Sequence, residues 1–274
     1  MTNRTPPENI LPQPGRDRDS QTVLAAPMAW LVSVRNEVEF SLAASYGVDI
    51  VDFKEPRKGA LAPVDPQIWQ QAARLQSSTS AATDSAAFEL SAALGERSDM
   101  LQIASSVPPS FAFAKVGPSQ CDSPQDLLQL WDDAAQRLPA SVELVAVAYA
   151  DYGNAACLPP EEVFELASQR GMKRCLLDTF TKTGVATLDA LGIERLRRLA
   201  TLARSRGIWW TLAGSIKLSH LEQLLANRID PHCIGIRGDA CDQNRTSSLS
   251  SERLKLWSDT MGKRKAIAAD DAAS

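Results

Sequence analysis

Three lysines stand where apolar runs end: Lys54 in IVDFKEP, Lys115 in FAFAKVG and Lys182 in LLDTFTKTG. An interior charge is costly unless paired, so an ammonium group at the end of a buried segment needs a task or a partner. Lysine loses its proton readily when desolvated, which suits it to Schiff-base formation or general-base work at a carbonyl substrate. Carboxylates lie close by: Asp52 two residues before Lys54, and Asp178 four before Lys182. On a strand, Asp52 and Lys54 share a face, and the plain alternative to catalysis is a structural ion pair between them. Alternation likewise groups Phe111, Phe113 and Lys115, an amine against an apolar wall, or else a lysine snorkelling to solvent. Asp178 and Lys182 make a workable acid/base pair if the chain turns between them, or an exposed loop ion pair.

Composition narrows the chemistry. A chain of 274 residues with net charge −4 and pI near 5.4 carries no broad basic field, so nucleic-acid binding has no support. Two histidines, His220 and His232, leave little for a histidine metal site or a Ser-His-Asp triad, and both read as structural. Five scattered cysteines without a CxxC pair read as reduced thiols, not as a disulfide framework or zinc site. No metal and no organic cofactor is expected. No apolar run approaches membrane-spanning length, and residues 1–27 are Pro-rich and charged without the apolar core of a signal peptide. A cytoplasmic protein without membrane partners is the expectation.

The elements that must position these residues follow from periodicity. Strand candidates are AWLVSV (29–34), DIVDFK (49–54), AAFELSAAL (86–94), FAFAKVG (111–117), VELVAVAYA (142–150), RCLLDTF (174–180), IWWTLAG (208–214) and CIGIRG (233–238). Helical stretches fall at 36–46, 66–76, 124–137, 160–170, 189–206, 217–227 and 248–258, with caps expected at Ser123-Pro124 and near Ser219. Eight strands alternating with helices predict an α/β fold, a single (βα)8 barrel over 28–258. Residues 1–27 and 259–274 read as disordered tails, and SSTSAATDS (77–85) as a low-complexity linker on the N-terminal face. An open doubly wound sheet rarely uses so many strands at such regular spacing.

In such a barrel the strand C-termini converge on one mouth. Lys54, Lys115, Asp151, Asp178, Gly214, Ser215, Arg237 and Gly238 all fall at or just beyond strand ends. Gly214-Ser215 and Arg237-Gly238 follow the last two strands, where backbone N–H groups cradle phosphate in many barrels. Arg237 would add a charged contact to that phosphate, oriented by Asp239. Asp151 reads either as a third carboxylate at the mouth or as an ordinary turn residue.

With these residues assembled, the chain resembles the (5-formylfuran-3-yl)methyl phosphate synthases, the 4-HFC-P synthase family of methanofuran biosynthesis. The resemblance rests on LVSVRNEVEFSLAASYGVDIVDFKEPRKGALAP (31–63), FAFAKVG (111–117), AVAYADYG (146–153), LLDTFTKTG (176–184), LAGSI (212–216) and IGIRG (234–238). It implies a (βα)8 barrel that condenses two glyceraldehyde 3-phosphate molecules into a furan aldehyde phosphate, a lyase-type reaction of one-carbon cofactor metabolism. It places the Schiff-base lysine on Lys54 beside Asp52, further catalytic lysines on Lys115 and Lys182, and the acid/base carboxylate on Asp178. A class I aldolase or isomerase acting on triose phosphates would use the same groups, and a non-catalytic phosphosugar-binding barrel would keep the fold alone. A triose phosphate is the expected small-molecule partner; the oligomeric state is left open, a homo-oligomer included.

Overall fold

The computed structural model describes residues 28–80 and 88–273. The N-terminal tail expected at 1–27, and residues 81–85 of the expected linker, lie outside them. Eight strands form a closed parallel barrel in sequence order: β1 (Ala29–Val34), β2 (Ile50–Phe53), β3 (Glu89–Ala93), β4 (Phe113–Lys115), β5 (Glu143–Tyr149), β6 (Arg174–Asp178), β7 (Trp209–Leu212) and β8 (Cys233–Ile236). Closure pairs β1 with β8 from Ala29↔Cys233 to Val32↔Ile236. The fold is the (βα)8 barrel that the alternation of runs predicts.

Period two explains the layering. Outward residues such as Val32, Val51, Ala114, Ala146 and Leu177 join the large core beneath the helices. Inward residues make a second, smaller core within the barrel, including Leu31, Ile50, Phe113, Val145, Val147 and Leu176. The next inward positions toward the strand C-termini are polar: Ser33, Asp52, Lys115 and Asp178, all buried. Arg174 lies between Phe113 and Trp209, with its guanidinium 4.6 and 4.3 Å from the two ring centroids, and forms a 3.2 Å ion pair with Glu143. The barrel interior thus has an apolar middle layer, with the Arg174–Glu143 pair below it and the charged cluster above.

The helices depart from expectation chiefly in four places. Helix Pro66–Ser80 takes in the first residues of the expected linker. Helix Arg97–Ile103 has no counterpart among the predicted stretches, since seven residues with only Met100 buried carry too little periodicity. The stretch 189–206 is two helices, Thr187–Leu191 and Ile193–Ser205, divided at Gly192, whose φ of +75° ends the first. The terminal helix runs Ser251–Ala273 rather than stopping before a disordered tail at 259. Alanine favours helix intrinsically, Met261 is buried, and Lys265 reaches Asp49 at 2.6 Å, so the extension is held against the barrel. Ser123 caps helix Pro124–Ala135 as expected, whereas helix Leu218–Ala226 begins at Lys217 and its Leu218 N–H is taken by Asp239. Among the described residues no helix is long and apolar enough to cross a membrane.

Candidate active site

The inward polar positions open into a cavity of about 600 Å³ at the C-terminal mouth, within the range of small-molecule sites. Lys54, Lys115, Lys182, Asp52 and Asp178 all line it. The strand pattern places them there, but the pairing is not the one that sequence proximity suggests. Asp52 pairs with Lys115 across the barrel at 2.5 Å, not with Lys54, and accepts the Ser33 hydroxyl at 3.3 Å. Lys54 lies one residue past the end of β2, and its Nζ is 3.7 Å from Asp178 Oδ2, beyond hydrogen-bond length. Asp178 Oδ1 accepts from Lys182 Nζ at 2.9 Å and from the Thr179 N–H at 2.7 Å. Lys182 also donates to the Thr179 carbonyl at 2.5 Å and its hydroxyl at 3.2 Å. A bend, not a helix, brings residues 178 and 182 together.

Three lysines with side chains only 4–14% exposed therefore share two buried carboxylates. Burial pushes the Asp178 carboxyl up, but the charges of Lys182 and Lys54 outweigh it and hold the group at about 2. Burial draws Lys115 below the ordinary lysine value, opposed by Asp52 and aided by Lys54. Lys182 is lowered by the same desolvation, opposed by Asp178. The site thus holds an ionised carboxylate beside amines that give up a proton more easily than a surface lysine. Phe111 does not share the wall behind Lys115: it precedes β4 and packs outward against Phe53 and Trp69, leaving Phe113 as the inward neighbour.

Gly214, Ser215 and Gly238, from which a phosphate cradle is expected, also line the cavity. Gly214 and Ser215 have consecutive positive φ values of 87° and 56°, the kind of backbone concavity that gathers anions. A Cβ on Gly214 would sit 2.2 Å from the Thr187 hydroxyl, so glycine is demanded there by both conformation and space. The amides of Gly214, Ser215 and Gly238 donate to no backbone acceptor among the described residues outside regular elements.

Arg237 is not free to serve that cradle. Its five N–H groups go to Glu39 (2.6 and 3.1 Å) and to the carbonyls of Ser33, Arg245 and Ser247. Asp239 does not orient it, being occupied by Arg253, the Trp257 indole and the Leu218 amide. Asp151 lies outside the cavity lining. Its carboxylate accepts the Phe180 N–H at 2.6 Å, the Thr181 N–H at 2.9 Å and the Thr181 hydroxyl, pinning the loop that carries Lys182. Burial would raise this carboxyl, but those hydrogen bonds leave it below its ordinary value. Sequence reading passes over three cations of the lining, Lys217, Arg245 and Arg253, and over Glu39, the buried partner of Arg237. Glu39 shares the buried face of its helix with Phe40 and Ala43, and an acid at the third position after the capping Asn36 is the one signal that could mark it. Among the described residues no group of three His, Cys, Asp or Glu side chains comes together to hold a metal.

Comparison with known proteins bears on this geometry. The family profile described as 4-HFC-P synthase matches residues 30–258. The (5-formylfuran-3-yl)methyl phosphate synthase of Methanosarcina barkeri is 28% identical over 236 residues, covering 83% of this chain and 97% of the relative. The synthase of the same description from Archaeoglobus fulgidus is 27% identical over 233 residues, 82% and 95% of the two chains. Among solved structures, N-(5'-phosphoribosyl)anthranilate isomerase from Pyrococcus furiosus superposes with a TM-score of 0.51 at 12% identity, over 88% of this chain and 99% of its own. A truncated 3-deoxy-D-arabino-heptulosonate 7-phosphate synthase from Thermotoga maritima does so with 0.52 at 13%, over 89% and 87%. At such identity these two likenesses speak for the barrel alone.

Proposed function

The chain belongs to the 4-HFC-P synthase family, and from that premise we propose that it is a (5-formylfuran-3-yl)methyl phosphate synthase of methanofuran biosynthesis. It joins two glyceraldehyde 3-phosphate molecules into a furan aldehyde phosphate; the atoms balance on loss of one phosphate and two waters, a lyase-type chemistry. The observation that carries the reading is the cluster of three lysines, two buried and one nearly so, sharing Asp52 and Asp178 on the floor of a cavity, with the Gly214-Ser215 concavity at its rim.

Lys54 is the amine least committed to partners, because its nearest carboxylate oxygen stands at 3.7 Å. Its addition to a triose aldehyde gives an iminium at C1, an electron sink that acidifies C2. Lys115, which burial makes readier to give up its proton than a surface lysine, serves as the base that takes the C2 proton. The resulting electron pair shifts into C2–C3 as the C3 phosphate leaves, and C3 of the unsaturated iminium so formed bonds to C2 of the second triose, the connection a 3-substituted furan requires. Asp178 and Lys182 then move protons during ring closure and dehydration, with aromaticity of the furan drawing the sequence forward. The backbone amides at Gly214, Ser215 and Gly238 hold a phosphate.

The test is to incubate the purified protein with glyceraldehyde 3-phosphate, follow ultraviolet absorbance and identify the product by mass. A furan aldehyde phosphate is expected from the native chain, with none from Lys54→Ala. An adduct trapped by borohydride without furan would replace the proposal with a class I aldolase; neither signal from folded protein would leave a binding barrel.

A further inference from the structure

Two triose phosphates bring two phosphate groups, one of which is expelled and one kept, yet the backbone concavity after β7 and β8 accounts for a single anion. The cations of the cavity lining differ in what they have left to offer. Arg237 has spent all five donors, and Arg253 is paired with Asp239. Arg245 donates only to two neutral carbonyls, Pro56 at 2.7 Å and Gly59 at 3.1 Å. A guanidinium has five N–H groups, so three remain for a ligand, and among the described residues no carboxylate pairs with it. Its side chain starts beside the cradle, where a Cβ on Gly238 would lie 3.6 Å from Arg245 Cβ, and ends at the loop that follows Lys54. Arg245 therefore carries positive charge from the cradle side of the mouth to the imine side, an arginine's length away. That charge is felt by both Asp178 and Lys182, so the guanidinium lies near the proposed proton-transfer pair.

We propose that Arg245 forms a second anion site, which receives the phosphate expelled from the imine-bound triose while the Gly214, Ser215 and Gly238 amides hold the phosphate that is kept. The assignment rests on the synthase reading. In the step concerned, the C2–H bond breaks toward the base and its electron pair becomes the C1–C2 enamine; that pair then moves to C2–C3 as the C3–O bond breaks with its own pair going to phosphate, and the nitrogen lone pair re-forms the iminium. No oxidation state changes and no further reactant is needed. Charge grows on the bridging oxygen as that bond breaks, and guanidinium donors fixed in place stabilise it more in the transition state than in the bound substrate.

The experiment compares full-length native protein with Arg245→Met and Arg245→Lys, measuring furan formation, KM for glyceraldehyde 3-phosphate and inhibition by added inorganic phosphate. Arg245→Met is expected to lower kcat about 100-fold with KM little changed, to lose phosphate inhibition, and to recover part of its rate with free guanidinium. Arg245→Lys keeps the charge without the fork and guards against a misfolded Met variant; it should fold and bind phosphate about tenfold more weakly. A residue that only tethers Pro56 and Gly59 would lower the melting temperature and the rate without touching phosphate inhibition, and that result overturns the proposal. So does a loss confined to KM, which would make Arg245 an ordinary substrate contact. Native protein that makes no furan at all removes the synthase reading and this assignment together, whereas furan formation with unaltered phosphate inhibition removes the assignment alone.

Discussion

At the scale of single residues, the chemistry turns on how two carboxylates divide themselves among three amines. Asp52 holds the Lys115 ammonium against a burial that favours the neutral form. Replacing Asp52 with Asn removes that support, so the Lys115 pKa falls further. If neutral Lys115 is the base, kcat/KM rises as pH passes through its pKa, and this rising limb should move to lower pH in Asp52→Asn by about 1–3 units. A limb that stays in place, read from the pH profile, would take the base role away from Lys115. The lysines and aspartates were legible in the sequence because strand parity and strand ends are local properties. Their partners were not, because the Asp52–Lys115 pair joins β2 to β4 and depends on how the barrel curves. The same holds for Arg237, whose committed partner Glu39 lies 198 residues away.

At the scale of elements, the loops after the strands decide where the amines point. Asp151 follows β5 but serves the loop after β6, fixing two amides and a hydroxyl between Asp178 and Lys182. Asp151→Ala is expected to reduce kcat by up to about 100-fold through displacement of Lys182, and to cost about 1.5–3 kcal/mol of stability through the lost charged hydrogen bonds. Steady-state kinetics and thermal melting check both parts; an unchanged kcat would show that the loop keeps its shape unaided. All eight strands were visible as apolar runs, since a strand covered on both faces needs no alternation to be recognised. Helix boundaries were harder. A single left-handed glycine at 192 divides one apolar period into two helices, and helix Arg97–Ile103 buries too little to show a period at all.

At the scale of the whole molecule, the terminal helix lies outside what composition could place. Its alanines suit both a helix and a polar tail, and only the burial of Met261 and the Lys265–Asp49 pair tell them apart. Truncation after Lys265 should leave the melting temperature within about 2 °C of native, since the anchoring contacts remain. Truncation after Ser258 removes a buried methionine, about 1.5–3 kcal/mol, and a half-exposed ion pair of about 0–1 kcal/mol. A fall of roughly 3–16 °C is expected, measured by calorimetry, and equal melting of the two truncations would show that the extension contributes nothing. The closure of β1 on β8 has a further consequence, for the order in which the molecule is made. The Arg237 guanidinium donates to the Ser33 carbonyl across 204 residues of chain. A ribosome adding about 5–20 residues per second delivers the second of these roughly 10–40 s after the first. Throughout that interval β1 has an unpaired edge, and the lysine floor lacks the wall that completes it. The nascent chain therefore emerges as an open, curling sheet with a hydrogen-bonding flank exposed, and it is on the ribosome that this protein most needs a chaperone.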